Sequence, residues 1–414
     1  MKFNKWTMGL AAVGVVSLAS AARADETKMS QIQTALSSTT LSGYVDTAAT
    51  WRPGTASSPF SGTANLPPYS FAKNDGFSLN AIDIALDKPE DESPWAAGYH
   101  LELMAGPDVP MSYLNSYVSG GHEYGPQPYD PGVALRQAYL ALRTPIGNSG
   151  IDWKVGVFDT PIGYESTSDP SNPNYTRSYG YTIEPTTHTG ILATYKINDI
   201  ISVSAGIANT WSDAFDLNAT PVYESQKTYM GLVSLTAPDS AGWMKGATFT
   251  GGVINAVDSR MYGNGTKTSW YAGMTLPTPI SALKGGAAFD YIDLNHNGYS
   301  TWVAGLYGTY QINDKASANV RAEYVSDNGA GIGGIGYGGT VALEELTATL
   351  QYNLWANVLS RVEVRWDHSE HYHPFGAETT TYAYTSGEST YTGYSSESDK
   401  SDSIMFALNL IYQF

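Results

Sequence analysis

The chain has 414 residues, 42% of them hydrophobic and 15% charged, and no cysteine, which excludes a disulfide scaffold and a thiolate metal site. Its 39 acidic and 22 basic residues give a formal charge of -17, which would repel the phosphate backbone of a nucleic acid. The 42 glycines, 30 tyrosines and 10 tryptophans favour turns and strands, so we expect a β-rich protein.

The N-terminus has the pattern of a secretory signal peptide. Two lysines precede an almost wholly apolar run over residues 6–19, and small residues flank Arg23 where a signal peptidase would cleave. The run is interrupted before the roughly 20 apolar residues that a membrane-spanning helix needs. We predict a signal peptide over 1–24 and a short periplasmic N-terminal segment over 25–40. Met29, Ile32 and Leu36 have helical spacing, so a short helix or plug is one alternative for this segment, but disorder is favoured.

From Leu41 onward the sequence repeats one unit, a segment of about ten residues in which apolar and polar side chains alternate. Over residues 358–366, for example, apolar residues alternate with Arg361, Glu363 and Arg365. This pattern suits a strand with one dry face and one wet face, whereas a helix would spread the charges around its circumference. About sixteen such strands are predicted. They begin near Leu41, Phe77, Trp95, Val133, Ile151, His188, Ile200, Lys227, Lys245, Thr268, Lys284, Ser300, Lys315, Val341, Asn357 and Ile404.

The connectors between the predicted strands alternate in length. Those after even-numbered strands are short, as at 198–199 and 313–314, whereas most of those after odd-numbered strands are long, as at 159–187 and 368–403. Short periplasmic turns and long extracellular loops are typical of transmembrane β-barrels, and a soluble sandwich has no reason to separate the two. We therefore predict an all-β fold over 41–414, a transmembrane antiparallel up-and-down β-barrel that needs no solid core.

The last predicted strand, 404–414, alternates apolar and polar residues and ends on Phe414. This ending resembles the assembly signal of outer-membrane barrels as a class. We interpret Phe414 as the contact for the barrel-assembly machinery and expect the protein in the lipid of a Gram-negative-type outer membrane.

The central part of the chain, 151–211, resembles the OmpL-like β-barrel porin-2 family of outer-membrane proteins. The residues that carry the resemblance are GVFDTPIGYE at 156–165, NPNYTRS at 172–178, PTTHTG at 185–190 and NTW at 209–211. Weaker similarity extends over most of the chain beyond the signal peptide. The resemblance implies an outer-membrane porin, but the family is defined more by architecture than by substrate and does not specify a solute.

If the apolar face of each strand meets lipid, residues of the opposite parity line the lumen. This assigns to the pore wall Asp46, Asp83, His100, Glu102, Lys154, Asp290, Arg321, Glu323, Glu345, Arg361, Glu363 and Arg365. A barrel of this size is wide enough for an aqueous channel, so we expect these charges to stay hydrated without buried partners. Arg136 and Arg143 have opposite parities on one predicted strand, so one of them is expected at the rim.

The third long connector, 159–187, is the candidate constriction. In sixteen-strand porins generally the third loop commonly folds into the lumen, and we hypothesise the same here, with Glu165, Asp169, Arg177 and Glu184 as constriction residues. The acidic residues would oppose wall arginines and create a transverse field that selects small polar solutes. The alternative is an external loop over the rim, because an ordered surface loop would also be rich in Pro, Tyr and Asn.

Two further motifs carry weaker hypotheses. A G-x-G-x-x-G pattern at 331–336 stands between predicted strands without a helix to bind a pyrophosphate, so nucleotide binding is not expected. His368, His371 and His373 cluster near Glu370, but strand spacing would place only His371 and His373 on one side. A solvated cluster is therefore favoured over a divalent-metal site, and we predict neither metal nor cofactor.

The sequence thus predicts a porin, a passive diffusion channel for ions and small hydrophilic solutes, and not an enzyme. One alternative is a non-conducting barrel, an adhesin or scaffold plugged by its own loops, although charges along the wall argue against it. A barrel enzyme would need a Ser, His and acidic constellation, and only His100 and His188 lie on predicted strands. The excess of acidic residues favours cations, and a homotrimer is common among porins of this size.

Overall fold

The protein forms a closed antiparallel β-barrel. The computed structural model describes residues 39–53, 75–109, 133–209, 211, 227–257, 266–294, 298–328, 340–370, 373, 375, 378–386, 389–397 and 400–414. The barrel strands follow the order β1-β18-β15-β14-β13-β12-β11-β10-β9-β8-β7-β6-β5-β4-β3-β2, so nearly every strand pairs with its neighbours in sequence. Their bounds are β1 Thr40–Trp51, β2 Gly76–Lys88, β3 Ala97–Ala105, β4 Val133–Thr144, β5 Ile151–Asp159, β6 Thr187–Lys196, β7 Ile201–Ala208, β8 Thr228–Thr236, β9 Thr248–Val257, β10 Thr266–Pro277, β11 Leu283–Leu294, β12 Tyr299–Gln311, β13 Ala316–Asn328, β14 Thr340–Trp355, β15 Val358–Ser369 and β18 Asp402–Gln413.

The predicted strands and fold class are confirmed. The largest offset is at β9, which was predicted from Lys245 and begins at Thr248. The sequence analysis did not predict a hairpin of two further strands, β16 (Glu378–Ser386) and β17 (Ser389–Glu397), inside the connector between β15 and β18. Both strands are rich in Thr, Ser and Tyr, so the alternation of apolar and charged residues that marks the barrel strands is missing.

Several predictions fall outside the described residues. These are the signal peptide over 1–24, most of the segment over 25–40, the glycine motif at 331–336 and His371. They stay predictions.

The barrel has apolar side chains outside and charged side chains inside. On the outer face of β14, β15 and β18, Leu346, Val362 and Leu408 are about half exposed, whereas Arg321 and Arg365 on the inner face are fully buried. This arrangement follows from the period of two along a strand when lipid, not water, is the outer solvent.

A β-bulge explains the parity conflict in β4. Glu102 of β3 pairs with Gln137, and the next residue of β3 pairs with Leu135, so Arg136 is an extra residue in the ladder. A bulge reverses the parity of the residues that follow it. As a result both Arg136 and Arg143 point inward and are buried, with Arg143 next to the short turn at the strand end.

The barrel closes between β1 and β18 at the C-terminus. The amide of Gly43 donates to the carbonyl of Phe414 at 3.1 Å, and the amide of Phe414 donates back at 3.0 Å. A methyl group at Gly43 would lie 2.7 Å from the ring of Phe414 and 2.1 Å from the carbonyl oxygen of Asp83. The closure therefore requires glycine here, because no side chain fits between these atoms.

Helix is sparse in the described ranges. A five-residue helix, α1 (Tyr179–Ile183), and a 3-10 turn (Asp169–Ser171) lie in the connector between β5 and β6, and another 3-10 stretch (Asp239–Met244) follows β8. Within these ranges, none of the helices has the length and apolar character needed to span a membrane.

Candidate constriction site

Residues 160–186, here called the inner segment, lie inside the barrel. The segment leaves from β5 and returns to β6, yet its polar contacts are with β13, β14 and β15, far around the wall in the strand order. Tyr44 on β1 adds a contact from its hydroxyl oxygen, which accepts from the amide of Asp169 at 3.3 Å. A connector that reaches so many inward-facing side chains must cross the lumen.

Two wall carboxylates bind backbone amides of the inner segment. Glu363 accepts from the amide of Tyr175 at 2.6 Å and from the amide of Thr176 at 2.9 Å. Glu323 accepts from the amides of Tyr179 at 2.8 Å and Gly180 at 3.1 Å, the first residues of α1. Amides at the start of a helix have no partner within it, so Glu323 satisfies groups that would otherwise be buried unpaired.

Three wall arginines bind carbonyl groups of the inner segment. Arg321 donates to the carbonyl of Thr176 at 2.7 Å. Arg365 donates to the carbonyl of Arg177 at 2.8 Å. Arg361 donates to the carbonyl of Asp169 at 3.2 Å and also to that of Asn172.

These wall residues follow from the sequence pattern. On both β13 and β15, charges of opposite sign stand at every second position, which places all of them on the inner face. The backbone of the inner segment offers both amides and carbonyls, and wall carboxylates bind some of the amides while wall arginines bind some of the carbonyls. We call Arg321, Glu323, Arg361, Glu363 and Arg365 the anchor row.

The anchor row is almost completely buried. Arg321 and Arg365 are 0% exposed, Glu363 is 1% and Arg361 is 2% exposed. The expectation that these charges would remain in water without buried partners therefore does not hold, because the inner segment covers and pairs them. Burial without partners would carry a large desolvation penalty, so the pairing is needed to keep the charges in place.

The four predicted constriction residues are all buried, and Glu165 contacts a wall arginine as expected, whereas Asp169 and Glu184 have other neighbours. Glu165 bonds Arg321 at 2.7 Å. The carboxylate of Asp169 instead binds Arg177 within the inner segment at 2.6 Å. Glu184 lies beside Asp290 of β11, and burial together with the charge of Asp290 raises its pKa well above the usual range.

Apolar side chains pack on both sides of the inner segment. Toward the long loops, Tyr179 and Ile183 pack with wall residues of β11 to β14 and with Phe375 from the last long connector. Nearer β5, Ile162 and Phe158 pack on inward apolar residues of β6 to β11. Two more apolar clusters lie around Tyr44 and around Tyr175. The lumen therefore contains several apolar clusters, contrary to the expectation of a barrel without a solid core.

A second polar group lines β2 to β5. His100 lies between Asp87 at 3.0 Å and Glu102 at 3.2 Å. Arg136 joins Glu102 to Asp159 at the start of the connector. Here too the charges are mutually paired.

The remaining predicted wall residues also face inward. Lys154 places its ammonium 4.8 Å from the centre of the Tyr139 ring. Asp83 is 3% and Asp290 4% exposed, and the carboxylate of Asp290 faces α1 so closely that a methyl group at Gly180 would lie 2.7 Å from it. Tyr44 and Tyr179 were not predicted as site residues, since a tyrosine in a strand or loop carries no signal of its own in the sequence.

Two of the three clustered histidines, His368 and His373, fall within the described part of the chain. His368 pairs with Asp402 at 2.9 Å, and His373 is exposed. No group of three or more metal-ligating side chains occurs among the described residues.

Solved outer-membrane proteins share this fold at low sequence identity. The outer-membrane channel DcaP of Acinetobacter baumannii is similar with a TM-score of 0.57 and 10% identity, over 93% of this chain and 100% of that chain. The trimer form of OmpT of Vibrio cholerae has a TM-score of 0.54 and 14% identity, over 91% and 99% of the two chains. The anion-selective porin from Comamonas acidovorans has a TM-score of 0.53 and 10% identity, over 91% and 99%. At such identities the similarity shows the fold alone.

Sequence comparison identifies the family. A search of curated proteins gives no significant match. A family model described as "Putative beta-barrel porin-2, OmpL-like" matches residues 38–414, which covers the whole barrel. The chain therefore belongs to this family of outer-membrane β-barrel porins.

Proposed function

We propose that the barrel is a passive diffusion channel for ions and small hydrophilic solutes, and that the inner segment sets its narrowest section. The observation that carries this proposal is the attachment of the inner segment across the lumen to the anchor row. A backbone held at both its amides and its carbonyls is fixed in position, so it narrows the lumen to a defined cross-section. Charged groups near that section then influence which ions pass.

The same geometry supports a channel rather than an enzyme. The three histidines on barrel strands take part in hydrogen bonding within the barrel. His100 lies between two carboxylates, Nε2 of His188 is 3.1 Å from the hydroxyl of Thr160, and Nδ1 of His368 is 2.9 Å from Asp402. These contacts are with carboxylates and a threonine hydroxyl, not with the serine nucleophile that a hydrolase would require.

Dense packing favours a second candidate, a barrel closed by its own loops. Asn174, Thr176 and Tyr179 are 0% exposed, and Phe375 adds an apolar contact from another connector. Such a barrel would serve as a scaffold or adhesin.

Single-channel recording separates the two candidates. The folded barrel is inserted into a planar lipid bilayer, and the reversal potential is measured under a salt gradient. We expect stable steps of the order of hundreds of picosiemens and a cation preference. A barrel that is folded and heat-modifiable but never conducts would overturn the channel proposal in favour of the closed barrel.

The role of the inner segment is tested in the same recordings. Arg321→Met removes the anchor of Thr176 and Glu165, so we expect larger or noisier steps. The matched control is Asp314→Asn, which changes one charge in an exposed short turn. If both variants conduct as the original barrel does, the inner segment does not set the narrowest section.

We further propose a homotrimer in outer-membrane lipid, assembled by the barrel-assembly machinery through Phe414. The trimer form of OmpT supports the assembly state by analogy. Cross-linking of the barrel in native membranes is expected to give a trimer, and Phe414→Ala is expected to lower the amount of assembled barrel. A monomer as the single cross-linked species would contradict the homotrimer. Full assembly of the Phe414→Ala variant would contradict the role of Phe414 in assembly.

A further inference from the structure

The surface that the inner segment leaves accessible carries no charge. Its four charged residues, Glu165, Asp169, Arg177 and Glu184, are all buried. The residues that remain partly exposed are serines, threonines, prolines, a glycine and one tyrosine. The anchor row is buried as well, so a solute beside the inner segment meets hydroxyl groups and an aromatic ring, not arginines.

Tyr164 and Tyr307 form an aromatic platform on this surface. Their rings stack with centroids 3.9 Å apart and planes inclined by 21°, and both side chains are partly exposed. Gly286 of β11 is the register partner of Tyr307 and leaves room for the neighbouring ring, because a methyl group there would lie 1.9 Å from the hydroxyl of Tyr164. The platform lies in the half of the barrel nearer the short turns, since both Gly286 and Tyr307 are close to those ends of their strands.

The wall around the platform is rich in hydroxyl groups. Inward positions of β6 to β12 in this half of the barrel include the accessible residues Thr194, Ser204, Thr248, Thr275 and Thr309. Some of them bond one another, as do Thr194 and Ser204 at 2.9 Å. The charged inward residues of the same strands in this half, Lys196 and Lys284, stand at the strand ends. A hydroxyl both donates and accepts, so this wall can exchange hydrogen bonds with other hydroxyl groups in either direction.

We propose that this channel favours uncharged polyhydroxylated solutes of the carbohydrate class, which bind at the Tyr164–Tyr307 platform. The C–H face of a sugar ring packs on an aromatic ring, and its hydroxyl groups match the hydroxyl-lined wall. Accessible cations would favour anionic solutes, but the inner segment covers the arginines of the anchor row, and Lys196 and Lys284 stand at the strand ends. The inference rests on the proposed channel function and specifies its solute class.

Block of ionic current by a neutral sugar tests the inference. Maltotriose is added on either side of a bilayer that holds the folded barrel, and the fraction of current blocked is measured against concentration. We expect block with a dissociation constant in about the millimolar range, typical of weak binding, and weaker block by lactobionate, an anionic sugar acid. A conducting barrel that maltotriose never blocks would overturn the solute class while leaving the channel function intact.

Matched variants locate the binding site. Replacing both tyrosines, Tyr164→Ala with Tyr307→Ala, is expected to weaken block by about tenfold, as expected for the loss of aromatic packing. Tyr310→Ala, on the outer face of the same strand, should have no effect. Gly286→Ala should weaken block by displacing Tyr164, whereas Gly285→Ala should not, since its nearest neighbour would be 4.0 Å away. Equal block in all four variants would remove the platform from the solute path.

A binding measurement tests the carbohydrate site independently of whether the barrel conducts. If the folded barrel does not conduct, the channel proposal fails, and calorimetric titration of maltotriose into the detergent-solubilised barrel still tests the platform. Heat of binding that is lost in the double tyrosine variant supports a carbohydrate site. Its absence in the original protein overturns the inference.

Discussion

Arg321 offers the sharpest test of how the inner segment is held. Its guanidinium is 0% exposed and lies 2.7 Å from Glu165 and 3.1 Å from Glu345, both of whose side chains are at most 1% exposed. Arg321→Met fills a similar volume but removes the cation bonded to Glu165, while Glu345 keeps Arg365 at 3.8 Å. Removing one partner of a buried ion pair destabilises by about 3 to 5 kcal/mol, because the remaining charge stays buried. We expect a loss of this size in the free energy of unfolding.

A double-mutant cycle with Glu165→Gln measures the interaction itself. The double variant removes both charges of the closest pair, so its loss should be smaller than the sum of the two single losses by about 2 kcal/mol. The assay is urea unfolding in lipid vesicles, followed by tryptophan fluorescence. The control cycle uses Lys245 and Asp239, a pair 3.1 Å apart but more than half exposed, for which about 0 to 1 kcal/mol is expected. Losses that simply add at Arg321 and Glu165 would refute the argument that burial makes this pair important.

Three further predictions concern other parts of the barrel. Gly43→Ala should slow barrel assembly and lower thermal stability, because its methyl group would overlap Phe414 and the β2 backbone, whereas Gly231→Ala has open space and should be neutral in the same heat-modifiability assay. Glu184 has a raised pKa in the folded protein, so the folded state retains a proton that the unfolded state releases above its ordinary pKa of 4.5. The stability that this group contributes is therefore present at low pH and decreases as pH rises above about 4.5. Between pH 5 and 8, the urea midpoint of the Glu184→Gln variant should fall less than that of the original protein. Equal decreases in the two proteins would contradict the assignment. Asn357 has a φ of 67° in the β14–β15 turn. Asn357→Ala should therefore lower the free energy of unfolding by about 1 kcal/mol, and Asn357→Gly should leave it almost unchanged. Equal denaturation midpoints for the two variants would argue against backbone strain at this position.

The sequence was sufficient to predict the barrel, because each strand carries its own evidence. The charges at alternate positions of β15 and the difference between short and long connectors are local patterns, and a lipid-facing barrel is the architecture that explains both. The bulge at Arg136 was not predictable in this way. It depends on how two strands pair, and a single strand's sequence does not specify its register.

The site was only partly predictable. The inward parity of Arg321 and Glu363 follows from alternation, but their burial depends on a connector that is distant in sequence and covers them. The amide contacts of Thr176 and Gly180 and the carbonyl contact of Thr176 use backbone atoms, so no residue type marks them. Phe375 could not be recognised for a similar reason: its importance comes from where the last connector returns, not from its neighbours in the chain.

The attachment through backbone atoms has a consequence for how such a channel can change over time. Since the anchor row binds peptide groups, replacing Ser168 or Pro173 on the accessible side of the inner segment leaves the attachments of Thr176 and Tyr179 unchanged. If the barrel is the channel proposed above, mutation can alter which molecules pass while the contacts that position the inner segment are kept. Libraries that vary the accessible positions and keep the anchor row fixed should then yield folded channels with new preferences.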